Sequence, residues 1–220
     1  MAMTLLDLSR PGAWTKLFPQ ALRLMLHLES QVAQAHWTFG GGTVLMLRIG
    51  HRLSKDIDLF VPDPQYLGYV NPRLSDVAEA VSAEYEENAE FLKFYLPEGE
   101  IDIVVGTPLT DSPFEAVRYA GRDILFETNA EIIAKKMWHR GDQGKARDLF
   151  DLCAVAIADP DAIAKAAPFF AKHGNAFLNR LDSRAEFLEV EFKAIDALGF
   201  KMPFIECMDV ARRIIGAALK

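Results

Sequence analysis

The sequence has only two cysteines, Cys153 and Cys207, and no CxxC pair. That leaves no disulfide framework and no clustered-thiolate zinc site, and makes a reducing, cytoplasmic setting the expectation. No apolar run approaches the roughly 20 residues that cross a bilayer, so no membrane partner is expected. The opening MAMTLLDLSRPG lacks a basic stretch followed by a long apolar run, and no signal peptide is expected. Positive charge is not in excess either. The formal net charge is -7, which argues against non-specific binding of nucleic acid by the whole surface but leaves room for a local basic patch. No Gly-Lys-Ser/Thr follows the glycine run, so it is not a P-loop. Internal repeats and low-complexity segments are absent. What remains is an ordinary globular composition, 50% hydrophobic and 25% charged over 220 residues, enough for one compact domain or two small ones.

One stretch organises the rest: FGGGTVLMLRIGHRLSKDIDLF, Phe39 to Phe60. It reads as a glycine turn (Gly40-Gly41-Gly42-Thr43), an apolar helix from Val44 to Ile49 capped by Gly50, and a short strand carrying Asp56 and Asp58. Strand side chains alternate faces, so the two aspartates point one way while Ile57 and Leu59 point into the core. Paired carboxylates on a strand suit a hard divalent cation such as Mg²⁺, whose shell water and phosphate complete. Bare glycine amides at a helix start suit the phosphate.

Around this stretch the apolar spacing predicts a helix from about Trp14 to Ala35 and a strand at Trp37–Phe39. A loop follows over residues 62–68, then a helix from about Pro72 to Tyr85. Phe91–Leu96 and Glu100–Val105 read as a hairpin around Pro97-Glu98-Gly99. A short strand is expected at Ile124–Phe126. Thr128-Asn129-Ala130-Glu131 has the capping-box pattern and should start a helix to about His139. Helices are then expected over 145–157, 161–172, 176–198 and 204–218. Strand signals concentrate before residue 127 and helix signals after it. The chain therefore reads as an N-terminal α/β part, residues 1–127, and a C-terminal helical part, residues 128–220.

Asp102, between Ile101 and Ile103, is a third carboxylate. If its strand lies beside that of Asp56 and Asp58, three acids converge and two metal ions could bridge them. Asp102 would then ligate a metal or take the acceptor's proton. Glu100 shares its face and competes for the role. Lys136 and Arg140 share a helix face, and with His139 and Lys145 they make a locally basic stretch able to offset a triphosphate. Asp148 and Asp151 also share a face, and either could simply pair with Lys136 or Arg140 as a structural ion pair. Arg52 could reach phosphate, Ser54 could hold a metal ligand, and His51 reads as an exposed loop residue.

The stretch GGGTVLMLRIGHRLSKDIDLF resembles the signature of the nucleotidyltransferase superfamily that includes DNA polymerase beta. More narrowly it resembles the AbiEii/AbiGii toxin family, with a GGT turn followed by an HR-x-S-x-D-h-D-h-F strand. The block EIIAKKMWHRGDQGKARDLFDL, Glu131 to Leu152, resembles that family's second conserved region. The resemblance covers roughly residues 35–155. It implies an α/β (α+β) nucleotidyltransferase fold, a small mixed sheet flanked by helices and followed by a C-terminal helical region. It also implies that Gly41, Gly42 and Thr43 contact the triphosphate of an NTP, that Asp56 and Asp58 bind Mg²⁺, that Lys136 contacts the nucleotide, and that Asp148 orients the site. From their own chemistry and position, Arg52, Ser54 and Arg140 are expected to join the nucleotide contacts. A toxin of a type IV toxin–antitoxin or phage-defence system, an RNA acceptor such as the 3′ end of tRNA, and a separately encoded antitoxin are further implications.

Two other functions fit the residues. One keeps the fold and transfers to a cationic small molecule of aminoglycoside type, which the net negative charge favours. The other is a non-catalytic nucleotide-binding or partner-binding module, against which the three candidate acids argue.

Overall fold

The computed structural model describes residues 6–220; the first five, which open the segment inspected for a signal peptide, lie outside them. Helix α1 (Trp14–Gln31) buries Leu17, Phe18, Ala21, Met25 and Leu28 along one face. It stops short of the predicted Ala35, and Gln34 turns the chain with a φ of 58°.

Strand β1 (Thr38–Gly40) leads directly into helix α2 (Gly41–Ile49), which begins on the glycines, three residues before the predicted start. Gly50 ends it in the left-handed region, the predicted cap. Strand β2 (Ile57–Val61) begins one residue later than expected, so Asp56 immediately precedes it. Two single-turn helices follow, α3 (Tyr66–Tyr69) and α4 (Asp76–Glu79). The long helix predicted from Pro72 to Tyr85 does not form. Its intended apolar face is only partly covered: Val81 packs on the core but Leu74 is 73% exposed, and a helix with an incomplete buried face lacks much of its support. Tyr85 instead joins strand β3 (Tyr85–Glu87).

Strands β4 (Phe91–Leu96) and β5 (Gly99–Val105) form the predicted hairpin. A second hairpin, β6 (Phe114–Tyr119) and β7 (Arg122–Glu127), was anticipated only at Ile124–Phe126. No residue of β6 is fully buried, so it carries no apolar run to mark it. The seven strands form one mixed sheet in the order β3-β4-β5-β2-β1-β7-β6, with β2 parallel to β5 and β1 parallel to β7. Helix α1 covers one face, where the Phe18 ring stacks on Phe39 at 4.5 Å. The aspartates of β2 and β5 project from the other.

The helices that follow are α5 (Asn129–Arg140), α6 (Ala146–Ala158), α7 (Pro160–Ala166), α8 (Gly174–Ser183), α9 (Ala185–Lys193) and α10 (Phe204–Ala218). The capping box at α5 is half formed. Thr128 Oγ1 accepts from the Glu131 amide at 3.3 Å, but the Glu131 carboxylate accepts from the amides of Leu109 and Thr110 instead. The predicted 176–198 helix breaks at Arg184 between α8 and α9. Phe150 packs edge-on against Phe200 and tilted against Phe192, joining α6 to the C-terminal helices. The architecture is the mixed sheet flanked by helices, with a helical region after it.

Candidate active site

The glycines start α2 where close approach requires them. Gly41 has a φ of 69°, and a methyl group there would overlap Asp58 Oδ2. One at Gly42 would come within 2.8 Å of an Arg52 guanidinium nitrogen and 3.0 Å of Ser54 Oγ. The first turn of α2 has no side-chain cap, so its amides keep the capacity that favours an anion. Thr43 is fully buried and its hydroxyl donates to the Asp56 carbonyl at 2.5 Å, a bond that ties α2 to the start of β2.

Asp58 and Asp102 are register partners on the parallel strands β2 and β5, so their side chains lie side by side. Burial raises the pKa of Asp58 against the pull of Arg140 and Lys136. Burial, then the charge of Asp58, pushes Asp102 up to about 7. Asp56 lies at the strand end, its Oδ1 accepting from the Glu100 amide at 3.3 Å and its charge still acting on Asp58. Asp102 faces Lys93, whose ammonium lies 3.3 Å from Asp102 Oδ1 and 2.6 Å from Glu100 Oε2. Among the described residues no group of three or more His, Cys, Asp or Glu side chains is arranged to hold a metal ion. The convergence of Asp56, Asp58 and Asp102 expected from the sequence is thus met in the Asp58–Asp102 pairing but not as a three-acid metal cluster among the described residues. Asp58 and Asp102 still offer adjacent oxygen donors, Asp102 Oδ1 being ion-paired to Lys93 at 3.3 Å without hydrogen-bond geometry. Asp58 and the nearby Asp56, neither ion-paired among the described residues and each acting on the other, fit a hard cation that keeps several waters.

Behind these acids lies a buried ionic network. Lys136 Nζ reaches Asp148 Oδ1 at 2.7 Å and Asp151 Oδ2 at 3.0 Å. Arg140 meets the same Asp148 oxygen at 2.7 Å. Asp151 accepts from Arg52 Nε at 2.7 Å and Nη2 at 2.9 Å, and lies 2.8 Å from His51 Nε2. Burial alone would raise both carboxyls. The cations outweigh it, Lys136 with Arg140 at Asp148 and Lys136 with Arg52 at Asp151, and both pKa values fall below the ordinary value. His51, read from the sequence as exposed, is buried here, and burial lowers its pKa despite Asp151. Arg52, proposed as a phosphate contact, is committed to Asp151 and 4% exposed. Arg140 is the open member, its side chain 40% exposed. Three cations (Arg52, Lys136, Arg140) against two carboxylates (Asp148, Asp151) leave one positive charge facing Asp58.

Sequence reasoning passed over two neighbours of this site. Glu127, at the end of β7, accepts from Thr38 Oγ1 at 2.8 Å and Lys135 Nζ at 2.5 Å, and fills the space beside Gly40. Lys135 also sits 3.8 Å from the Phe60 ring centre. Nothing local in the chain marks Glu127. Lys93 was within reach: counting back from the predicted turn, with Leu96 opposite Gly99, sets Lys93 opposite Asp102.

The family model described as "Nucleotidyl transferase AbiEii toxin, Type IV TA system" matches residues 23–213. Among solved structures the chain is similar to a putative nucleotidyltransferase from H. pylori, at 17% identity and TM-score 0.47, covering 93% of this chain and 95% of that one. It is also similar to an antigenic nucleotidyltransferase-like protein from Paracoccidioides brasiliensis, at 14% identity and TM-score 0.39, covering 80% and 92%. A STING-associated CdnE c-di-GMP synthase from Capnocytophaga granulosa aligns at 13% identity and TM-score 0.34, covering 94% and 80%. No curated protein matches significantly in sequence.

Proposed function

Since the chain belongs to the AbiEii family of nucleotidyl transferases, we propose that it moves a nucleoside monophosphate from an NTP to an acceptor hydroxyl, with Mg²⁺ as cofactor. The observation that carries this reading is the register pairing of Asp58 with Asp102 beside the uncapped start of α2. Asp56 and Asp58 would hold Mg²⁺, which when bound supplies charge neutralisation at the phosphates. The amides of Gly41, Gly42 and Thr43 receive the triphosphate, and Arg140 and Lys136 add counter-charge from α5. Asp102, raised to about 7, accepts the acceptor hydroxyl's proton. The new bond joins that oxygen to the α-phosphorus as the α–β bridging bond breaks and pyrophosphate leaves. Positioning and preorganised charge provide the acceleration. Asp148 and Asp151 hold Lys136 and Arg52 in place rather than touching substrate.

The family's description supports a toxin of a type IV system. We extend this to an RNA acceptor, the 3′ end of tRNA, and a cognate antitoxin protein. A cationic small-molecule acceptor is the second reading, favoured by the net charge of -7. No helix of the described residues is long and apolar enough to cross a membrane, and the cytoplasm is the proposed location. The test is incubation with each α-labelled NTP, Mg²⁺ and either total RNA or an aminoglycoside panel. A discrete labelled RNA band, absent with Asp58→Asn, supports the first reading. Label only on the aminoglycoside selects the second. No labelled acceptor from folded protein with any NTP rejects both.

A further inference from the structure

Lys93 is ion-paired to two carboxylates beside Asp58. Cross-strand register places it beside Asp102, and its ammonium bridges Asp102 and Glu100 at 3.3 and 2.6 Å. The side chain is 24% exposed. Burial pulls its pKa down, but the hydrogen bond to Glu100 and the charge of Asp102 outweigh this and hold it protonated. The acids of the site are thereby divided. Glu100 and Asp102 share a lysine supplied by the fold. Asp56 and Asp58 make no ion pair among the described residues.

We propose that Lys93 sets the cation stoichiometry of the site, neutralising Asp102 and Glu100 so that one divalent cation binds, on Asp56 and Asp58, in place of the two expected from the sequence. The inference rests on the nucleotidyl-transfer reading. A tethered ammonium and a divalent cation repel each other at the same carboxylate oxygens, so occupancy by one disfavours the other. Lysine is suited to the role because its compact charge sits at the end of a long stem and can occupy a cation's position. Without that charge, Asp58 and its register partner Asp102 would present neighbouring oxygen donors to a second hard ion, whose shell water completes. Lys93 is a positioning residue here, acting through Asp102.

The experiment counts Mn²⁺ bound to the whole chain by electron paramagnetic resonance, without nucleotide. Wild type is expected to bind about one ion per chain, Lys93→Met about two, and Lys93→Arg, which keeps the charge, about one. Asp58→Asn should remove the wild-type ion. Two ions in wild type overturn the proposal whatever the variants do. An unchanged count in folded Lys93→Met also overturns it, and Lys93→Gln is measured if the methionine variant does not fold. Either result leaves labelled nucleotidyl transfer standing. No ion in wild type, together with no labelled acceptor, overturns the underlying reading as well.

Discussion

Asp151 on α6 clasps Arg52 through two hydrogen bonds, at 2.7 and 2.9 Å, across 99 residues of chain. The pair joins the helical region to the loop that delivers Asp56 and Asp58. Backbone bonds reinforce the junction: Leu53 donates to the Asp196 carbonyl and Leu198 to the His51 carbonyl, both at 2.8 Å. The position of the candidate acids thus depends on helices far from them in sequence.

Replacing Asp151 by alanine removes a fully buried anion and leaves Arg52 and Lys136 short of a partner. Breaking one side of a buried pair costs about 3–5 kcal/mol. Urea unfolding should show a loss of that order. A loss under about 1 kcal/mol would mean the network contributes no more than a surface pair.

Asp58→Asn should end labelled transfer yet leave metal-free stability at neutral pH unchanged or higher. Burial disfavours its charged form, so removing the charge relieves a desolvation cost. Thermal unfolding beside the transfer assay checks both halves. A marked fall in Tm would contradict the electrostatic account.

The pH profile of stability should separate the two groups of acids. Asp148 and Asp151 have depressed folded pKa values. Their stabilisation is present above the unfolded value of 3.8 and lost as pH falls through the folded ones. Asp102 is raised from 3.8 to about 7, so its native state binds more protons between those values and stability falls as pH rises through that window. Metal-free wild type should therefore lose stability relative to Asp102→Asn between about pH 4 and pH 7. Parallel profiles of the two proteins, measured by urea unfolding at each pH, would remove the raised pKa.

Gly41→Ala should impair the site from the backbone side. The φ of 69° disfavours any L side chain by about 1–2 kcal/mol, and the new methyl displaces the Asp58 carboxylate. Mn²⁺ affinity should fall with transfer. Unaltered Mn²⁺ binding would place Asp58 away from the ion.

Arg140→Ala and Lys136→Ala should differ. The Arg140 side chain is 40% exposed, and that of Lys136 is 9% exposed between Asp148 and Asp151. Both should weaken NTP binding by calorimetry, but only Lys136→Ala should also cost about 3 kcal/mol or more in urea unfolding. Equal stability losses would mean the two lysine and arginine partnerships are equivalent.

Local patterns carried much of this molecule. The glycine run, the Gly50 cap, the alternation around Asp58 and the Pro97–Gly99 hairpin are written in consecutive residues, because backbone conformation and two-residue periodicity are short-range properties. Tertiary structure decided the rest. It left Leu74 of residues 72–85 exposed while Ala78 and Val81 packed on the core, so no long helix formed. It paired β6 as an edge strand that no apolar run announces, turned Asp56 toward Glu100, and buried His51 and Arg52 against Asp151. A buried charge finds its partner through packing of distant elements, and residue order alone does not encode which cation reaches which carboxylate.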